Sequence, residues 1–177
     1  FALTNLAPTE SINWSDDQNA VIGIQPASDE DAAKEYDDAA GEKTINVPQA
    51  GTLSDYITDD EKYNIKKLTL TGEINGTDIR LIRDMSQDEW KDGMWITRGK
   101  LQEIDLSGVK IVEGGEAYYE SYQTTNDILG ASMFENCNIS TIILPNSIKS
   151  IEQNALAYCK LTSITIPKSV NQLGRGI

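Results

Sequence analysis

A period of 22 residues near the C-terminus constrains this chain more than any other feature. Ile139-Ser-Thr-Ile142-Ile-Leu144-Pro145-Asn-Ser147-Ile148-Lys-Ser-Ile151 aligns without gaps on Leu161-Thr-Ser-Ile164-Thr-Ile166-Pro167-Lys-Ser169-Val170-Asn-Gln-Leu173. Met133-Phe134-Glu-Asn-Cys137 and Ala155-Leu156-Ala-Tyr-Cys159 stand at the same offset. A short fixed period means stacked coils, each of which cannot bury its apolar ridge alone, so that neighbours create the core and order parallel strands.

Each coil opens on an apolar residue followed at +3 and +5 by two more, and that signature recurs upstream as Leu101, Ile104, Leu106 and as Ile65, Leu68, Leu70. The spacing divides residues 46–177 into long irregular coils, 65–100 and 101–138, and regular coils, 139–160 and 161–177, after an acidic extension, 1–45. The long coils carry insertions, which in a solenoid map to loops. Within each strand the +3 and +5 side chains point inward, so their neighbours point outward by period-two alternation. Two exposed ladders follow, Lys67, Glu103, Thr141, Ser163 and Thr69, Asp105, Ile143, Thr165. They form either a solvated sheet face, with Lys67 beside Glu103, or a concave docking face.

The segment ahead of the first coil reads as scaffold. Thr52 reads as the cap of a short helix carrying Leu53, Tyr56 and Ile57, able to cover the first strand. Asp78–Met85 reads as a second helix capped by Thr77, with Ile79, Ile82 and Met85 inward and Arg80, Arg83 and Asp84 outward. Ser28–Glu42 interleaves seven acidic residues with alanines, as a linker or a solvated helix does. No calcium-loop spacing of the Asp-x-Asp-x-Asp-Gly kind is present.

The composition removes whole classes of function. A net charge of -13 repels nucleic acid, and no apolar run reaches the roughly 18 residues of a membrane span. The absence of His removes the commonest general base and metal ligand, and no cofactor motif is present. The best carboxylate pair is Glu103 with Asp105, about 6.5–7 Å apart on one strand face, on a sheet too flat to perturb either. Trp90, Trp95, Tyr118, Tyr119 and Tyr122 are concentrated in the two insertions. They either pack the insertions onto the coils or display stacking surface for a sugar or a protein. Cys137 and Cys159 occupy equivalent coil positions, where parallel side chains favour a reduced core ladder over a bridge. Asn13, Asn75 and Asn138 open glycosylation sequons. The strand Leu161–Ile166, flanked by Lys160, Pro167 and Lys168, ends the stack as an edge open to weak self-association.

The phrases around Pro145 and Pro167, each preceded by a stretch ending in Cys, resemble the BspA-like leucine-rich repeats of bacterial surface proteins, over about residues 47–177. The resemblance implies a β-rich α/β fold. That fold is a right-handed leucine-rich repeat solenoid with a short parallel sheet, long inserted loops and a helical N-terminal cap. It also implies an extracellular or cell-surface protein, in a family frequently lipid-anchored through a removed N-terminal segment; the start at Phe1, without Met or a signal-like segment, reads as processing of a larger precursor. Its role would be non-catalytic and adhesin-like, contacting a host protein or glycan through the ladders and the aromatic loops. The alternative is a structural spacer or assembly unit of a larger surface protein.

Overall fold

The computed structural model describes Glu10–Trp14, Ala20–Ile24, Lys34–Glu35 and residues 41–177. The chain divides into two units, Phe1–Ala32 and Ala33–Ile177. In the first, β1 (Glu10–Trp14) and β2 (Ala20–Ile24) pair antiparallel with Ile12 opposite Ile22.

The second unit begins with β3 (Lys34–Glu35), β4 (Glu42–Val47), a 3-10 turn (Leu53–Tyr56), α1 (Asp59–Lys62), β5 (Lys67–Ile74) and α2 (Gly76–Ser86). It continues with β6 (Asp88–Lys91), β7 (Met94–Thr97), β8 (Glu103–Ile111), β9 (Gly114–Tyr119) and β10 (Tyr122–Thr124). Last come β11 (Ile128–Leu129), β12 (Thr141–Ile143), β13 (Ser150–Ile151) and β14 (Gln172–Leu173). The main sheet runs β12-β8-β5-β4-β3, parallel except for β3. A smaller parallel sheet joins β11, β13 and β14. The insertions are antiparallel hairpins, β6-β7 and β9-β10.

The 22-residue period is visible in the backbone. Ile128, Ser150 and Gln172 are in register across the smaller sheet, a strand position the sequence reading did not single out. Ser132, Asn154 and Gly176 all take positive φ, as do Asn136 and Tyr158. Main-chain bonds from Ser132 N, Phe134 N and Asn136 N reach Gln153, Ala155 and Ala157 of the next coil. Inward alternation places Ile45, Leu68, Leu70, Ile104, Leu106, Ile142, Phe134 and Leu156 in one continuous core with Ile79, Ile82 and Met85 of α2.

Five expectations are corrected. The boundary at residues 45 and 46 falls inside β4, whose alternation Lys43, Ile45, Val47 inward makes it the first strand of the sheet. The N-terminal edge is therefore covered by a strand, β3, and not by the segment after Thr52, which forms only a 3-10 turn with no side-chain cap. α2 starts at Gly76 and is capped by Asn75, whose side chain accepts from Thr77 N, while Asp78 accepts from Asn75 N. Arg83, expected outward, is buried, because the coil at residues 132 and 133 packs over that face of the helix. Leu161–Ile166 is not a strand. Ile164 and Ile166 are only partly covered, so no inward burial fixes their register against β12. The chain pairs instead at β14.

α1 shows how a short helix is held. Glu61 Oε2 accepts from Thr58 N and Thr58 Oγ1, each at 2.9 Å, and from Lys43 Nζ at 2.8 Å. The Lys43 hydrogen bond, then the Thr58 contacts, lower the Glu61 pKa to about 2. Because the folded value lies below the ordinary 4.5, this stabilisation is present above pH 4.5 and is lost as pH falls toward 2. Glu61→Gln is expected to flatten the acid limb of the stability–pH curve by about 1 kcal/mol, allowing for solvent screening. Parallel pH-dependent urea melts that keep the same slope would refute it.

Candidate functional site

The outward face of the main sheet carries the two ladders, one strand further than the sequence indicated. Backbone register aligns Glu42, Lys67, Glu103 and Thr141 in one row, and Thr44, Thr69, Asp105 and Ile143 in the next. Ser163 and Thr165 are exposed but join neither row, since their segment is unpaired with β12. The missed rungs lie on β4, where Glu-Lys-Thr-Ile-Asn-Val alternates with period two and could have been found.

Lys67 bonds Glu42 at 3.0 Å and not Glu103, the partner expected; that bond chiefly, with Glu103 adding a little, raises its ammonium pKa. Thr71 Oγ1 donates to Asn46 Oδ1, and Lys110 pairs with Glu73 at 3.1 Å, so polar bonds tie adjacent strands along the face. Asp105 Oδ1 accepts from Ser107 N at the bulge in β8, which gives this carboxylate a local structural task. Ile143, 49% exposed, ends the second row as an apolar side chain on an otherwise polar face.

The tyrosine insertion does not border this face. Tyr118 is 3% exposed and its hydroxyl donates to Ala131 O; burial raises its pKa. Tyr122 stacks between Tyr118 and Tyr119, with centroids 6.4 and 6.5 Å away, and both Tyr119 and Tyr122 are partly buried. Tyr119 also covers Arg83 of α2 at 4.4 Å. The tyrosines thus belong to the layer of α2, on the other side of the sheet from the ladders, because β9 packs along that helix. Gly76 permits this approach: a Cβ there would meet the Glu116 carbonyl. The Trp90 and Trp95 backbones pair across β6 and β7; their rings lie outside the described residues. So do most of the residues of the acidic run.

Cys137 and Cys159 are free. Burial raises both thiol pKa values, that of Cys159 to about 12, and Cys159 Sγ donates to Phe134 O. Both are protonated core thiols at neutral pH and poor nucleophiles. Asn75 and Asn138 are buried, the first as the α2 cap and the second bonded to Asp88, so neither sequon is accessible. Among the described residues no group of three or more acidic or Cys side chains could hold a metal ion, and no helix is long and apolar enough to cross a membrane.

Residues 119–177 match the family model described as BspA type leucine rich repeat region, in six copies. No curated protein matches the chain. Among solved structures, a leucine rich cell surface protein from Faecalibacterium prausnitzii A2-165 is similar at 14% identity and a TM-score of 0.27. The match covers 99% of this chain and 52% of that one, so the chain spans about half of that structure's length.

Proposed function

We infer that this chain, whose residues 119–177 carry BspA-type leucine-rich repeats, is a non-catalytic binding module of the bacterial cell surface that contacts a host protein or glycan through its strand face. The observation carrying this reading is the in-register face of four parallel strands, with two complete rows of outward side chains on a backbone fixed by the core beneath. A rigid polar face bordered by one apolar side chain gives complementarity without induced ordering, which lowers the cost of association. A right-handed solenoid belongs to the same reading, because a crossover between parallel strands of one sheet is almost always right-handed. Lipid anchoring outside the cell belongs to the same reading. Glu103 and Asp105 are ladder contacts here and not an acid and a base.

Exposed Ile143, Ile166 and Leu173 favour a second reading, an assembly unit that self-associates through its last two coils. Sedimentation across a hundredfold concentration range separates the two, because only the assembly unit changes mass.

The binding reading is tested by screening immobilised matrix proteins and glycans with the wild type and with Thr44→Arg/Thr69→Arg, which places two large cations in the second row. Binding is expected in the wild type and weakened at least about tenfold in the variant, the loss typical of blocking a contact centre. Equal binding by both proteins removes the strand face as the site.

A further inference from the structure

We propose that a cleft on the α2 side of the molecule binds carboxylate-bearing saccharides, with Arg83 receiving the carboxylate and Tyr158 stacking on a sugar ring. The proposal rests on the binding-module reading but uses a surface remote from the ladders, so either site can fail alone. The cleft, about 680 Å³, is lined by Arg83, Gln87, Asp88, Tyr119, Asn136 and Asn138, with Tyr158 at its margin. That volume suits a small-molecule or oligosaccharide ligand.

Arg83 is 3% exposed, yet among the described residues no carboxylate lies within ion-pair distance of it. Both of its hydrogen bonds leave from Nη1, to Ser132 O at 2.9 Å and Met133 O at 2.8 Å. Among the described residues the Nε and Nη2 donors have no protein acceptor, and neither is fully buried, since the sole buried unpartnered side-chain atom there is Asp127 Oδ1. Arg83 itself lines the cleft. A guanidinium held by its back edge and by the Tyr119 ring presents a planar fork, the geometry that matches a carboxylate. Burying a cation without a counter-ion is costly, and a bound carboxylate would relieve that cost.

Tyr158 supplies the second, independent observation. It is the 22-residue counterpart of Asn136, and both take positive φ, +58° and +59°. Asn tolerates that conformation; an aromatic residue rarely adopts it. The Tyr158 ring is also 79% exposed, so the residue contributes neither backbone comfort nor apolar burial to the coil. Backbone strain combined with displayed aromatic area points to a task outside the fold. An exposed ring beside amides is suited to a sugar, whose C–H face stacks and whose hydroxyls both donate and accept. Asn136, Asn138 and Gln87 supply that mixed hydrogen bonding, and Asp88 is held in place by Asn138 Nδ2 at 2.9 Å. The net charge of -13 opposes a polyanion, but charges farther than about 8 Å from the cleft are largely screened at physiological salt, so the local Arg83 contact dominates.

The test is calorimetric titration at physiological salt with oligogalacturonate, its methyl ester and poly-L-glutamate. The acid is expected to bind at least about tenfold more tightly than the ester, the scale of one charge-assisted bidentate contact. Tyr158→Asn, which installs the repeat's own residue, should weaken acid binding roughly tenfold while leaving the melting temperature unchanged or higher. Arg83→Gln should erase the preference for acid over ester. Equal or absent binding of acid and ester overturns the proposal, as does a Tyr158→Asn protein that binds like wild type. Equal affinity for poly-L-glutamate overturns the saccharide assignment. Because Tyr158 is exposed, its variant remains decisive even where Arg83→Gln fails to fold. Loss of binding in Thr44→Arg/Thr69→Arg, with Tyr158→Asn unaffected, would remove this site and keep the strand face.

Discussion

Asp78→Ala is expected to lose about 3–5 kcal/mol of stability, the scale of stripping the acceptor from several buried donors at once. Asp78 is 1% exposed. Its Oδ2 accepts from Gly51 N at 2.6 Å and Asn75 N at 2.9 Å, and its Oδ1 from Leu53 N at 2.9 Å. Three backbone donors thus converge on one carboxylate in the first turn of α2, where the helix dipole also favours negative charge. Alanine leaves all three N–H groups without a partner and unties the 49–53 loop from the helix. Asp78→Asn keeps one acceptor oxygen but turns an amide N–H₂ toward donors, so a smaller loss of about 2 kcal/mol is expected. Urea denaturation decides the matter. An alanine variant within 1 kcal/mol of wild type would mean that water satisfies the three donors and that the carboxylate is dispensable.

Phe134→Ala should lose a comparable amount, about 3–5 kcal/mol, for a different reason. The ring is fully buried where the long second coil meets the first regular one, and the Phe134 carbonyl receives the Cys159 thiol of the next coil. Deleting it removes both the transfer energy of the ring and the packing around the void. The repeat makes a sharper claim. Leu156 fills the same position one coil later, so Phe134→Leu should lose only about 1–1.5 kcal/mol. A leucine variant as unstable as the alanine one would show that the two coils do not share one packing scheme.

Phe134 and Asp78 also mark where sequence reasoning succeeds and where it stops. The position of Phe134 followed from the 22-residue period, because every coil repeats the same local problem of burying one ridge on its neighbour. The rows Lys67, Glu103, Thr141 and Thr69, Asp105, Ile143 were legible for the same reason: alternation assigns faces, and equal spacing assigns register. The rungs Glu42 and Thr44 were present as the same alternation and were obscured by the acidic run that precedes them. Ser163 and Thr165 carry the pattern, yet they join no ladder, since a pattern yields a paired strand only where its inward side chains are buried.

Period and alternation are properties of neighbouring residues, so the stacked coils and the strand faces could be read from the order of residues alone, whereas the free state of Cys137 and Cys159 came from the structure. The roles of Arg83 and Asp78 depend on groups 49 and 25 residues away along the chain, Ser132 and Leu53. No local rule distinguishes a helical Arg that faces water from one over which a later coil closes. The same holds for Tyr118, Tyr119 and Tyr122, whose composition suited either display or packing until β9 was laid along α2. Tertiary structure alone decided those assignments, because the free energy that settles them, burial of a polar group against a remote carbonyl or ring, exists only once the chain has folded back on itself.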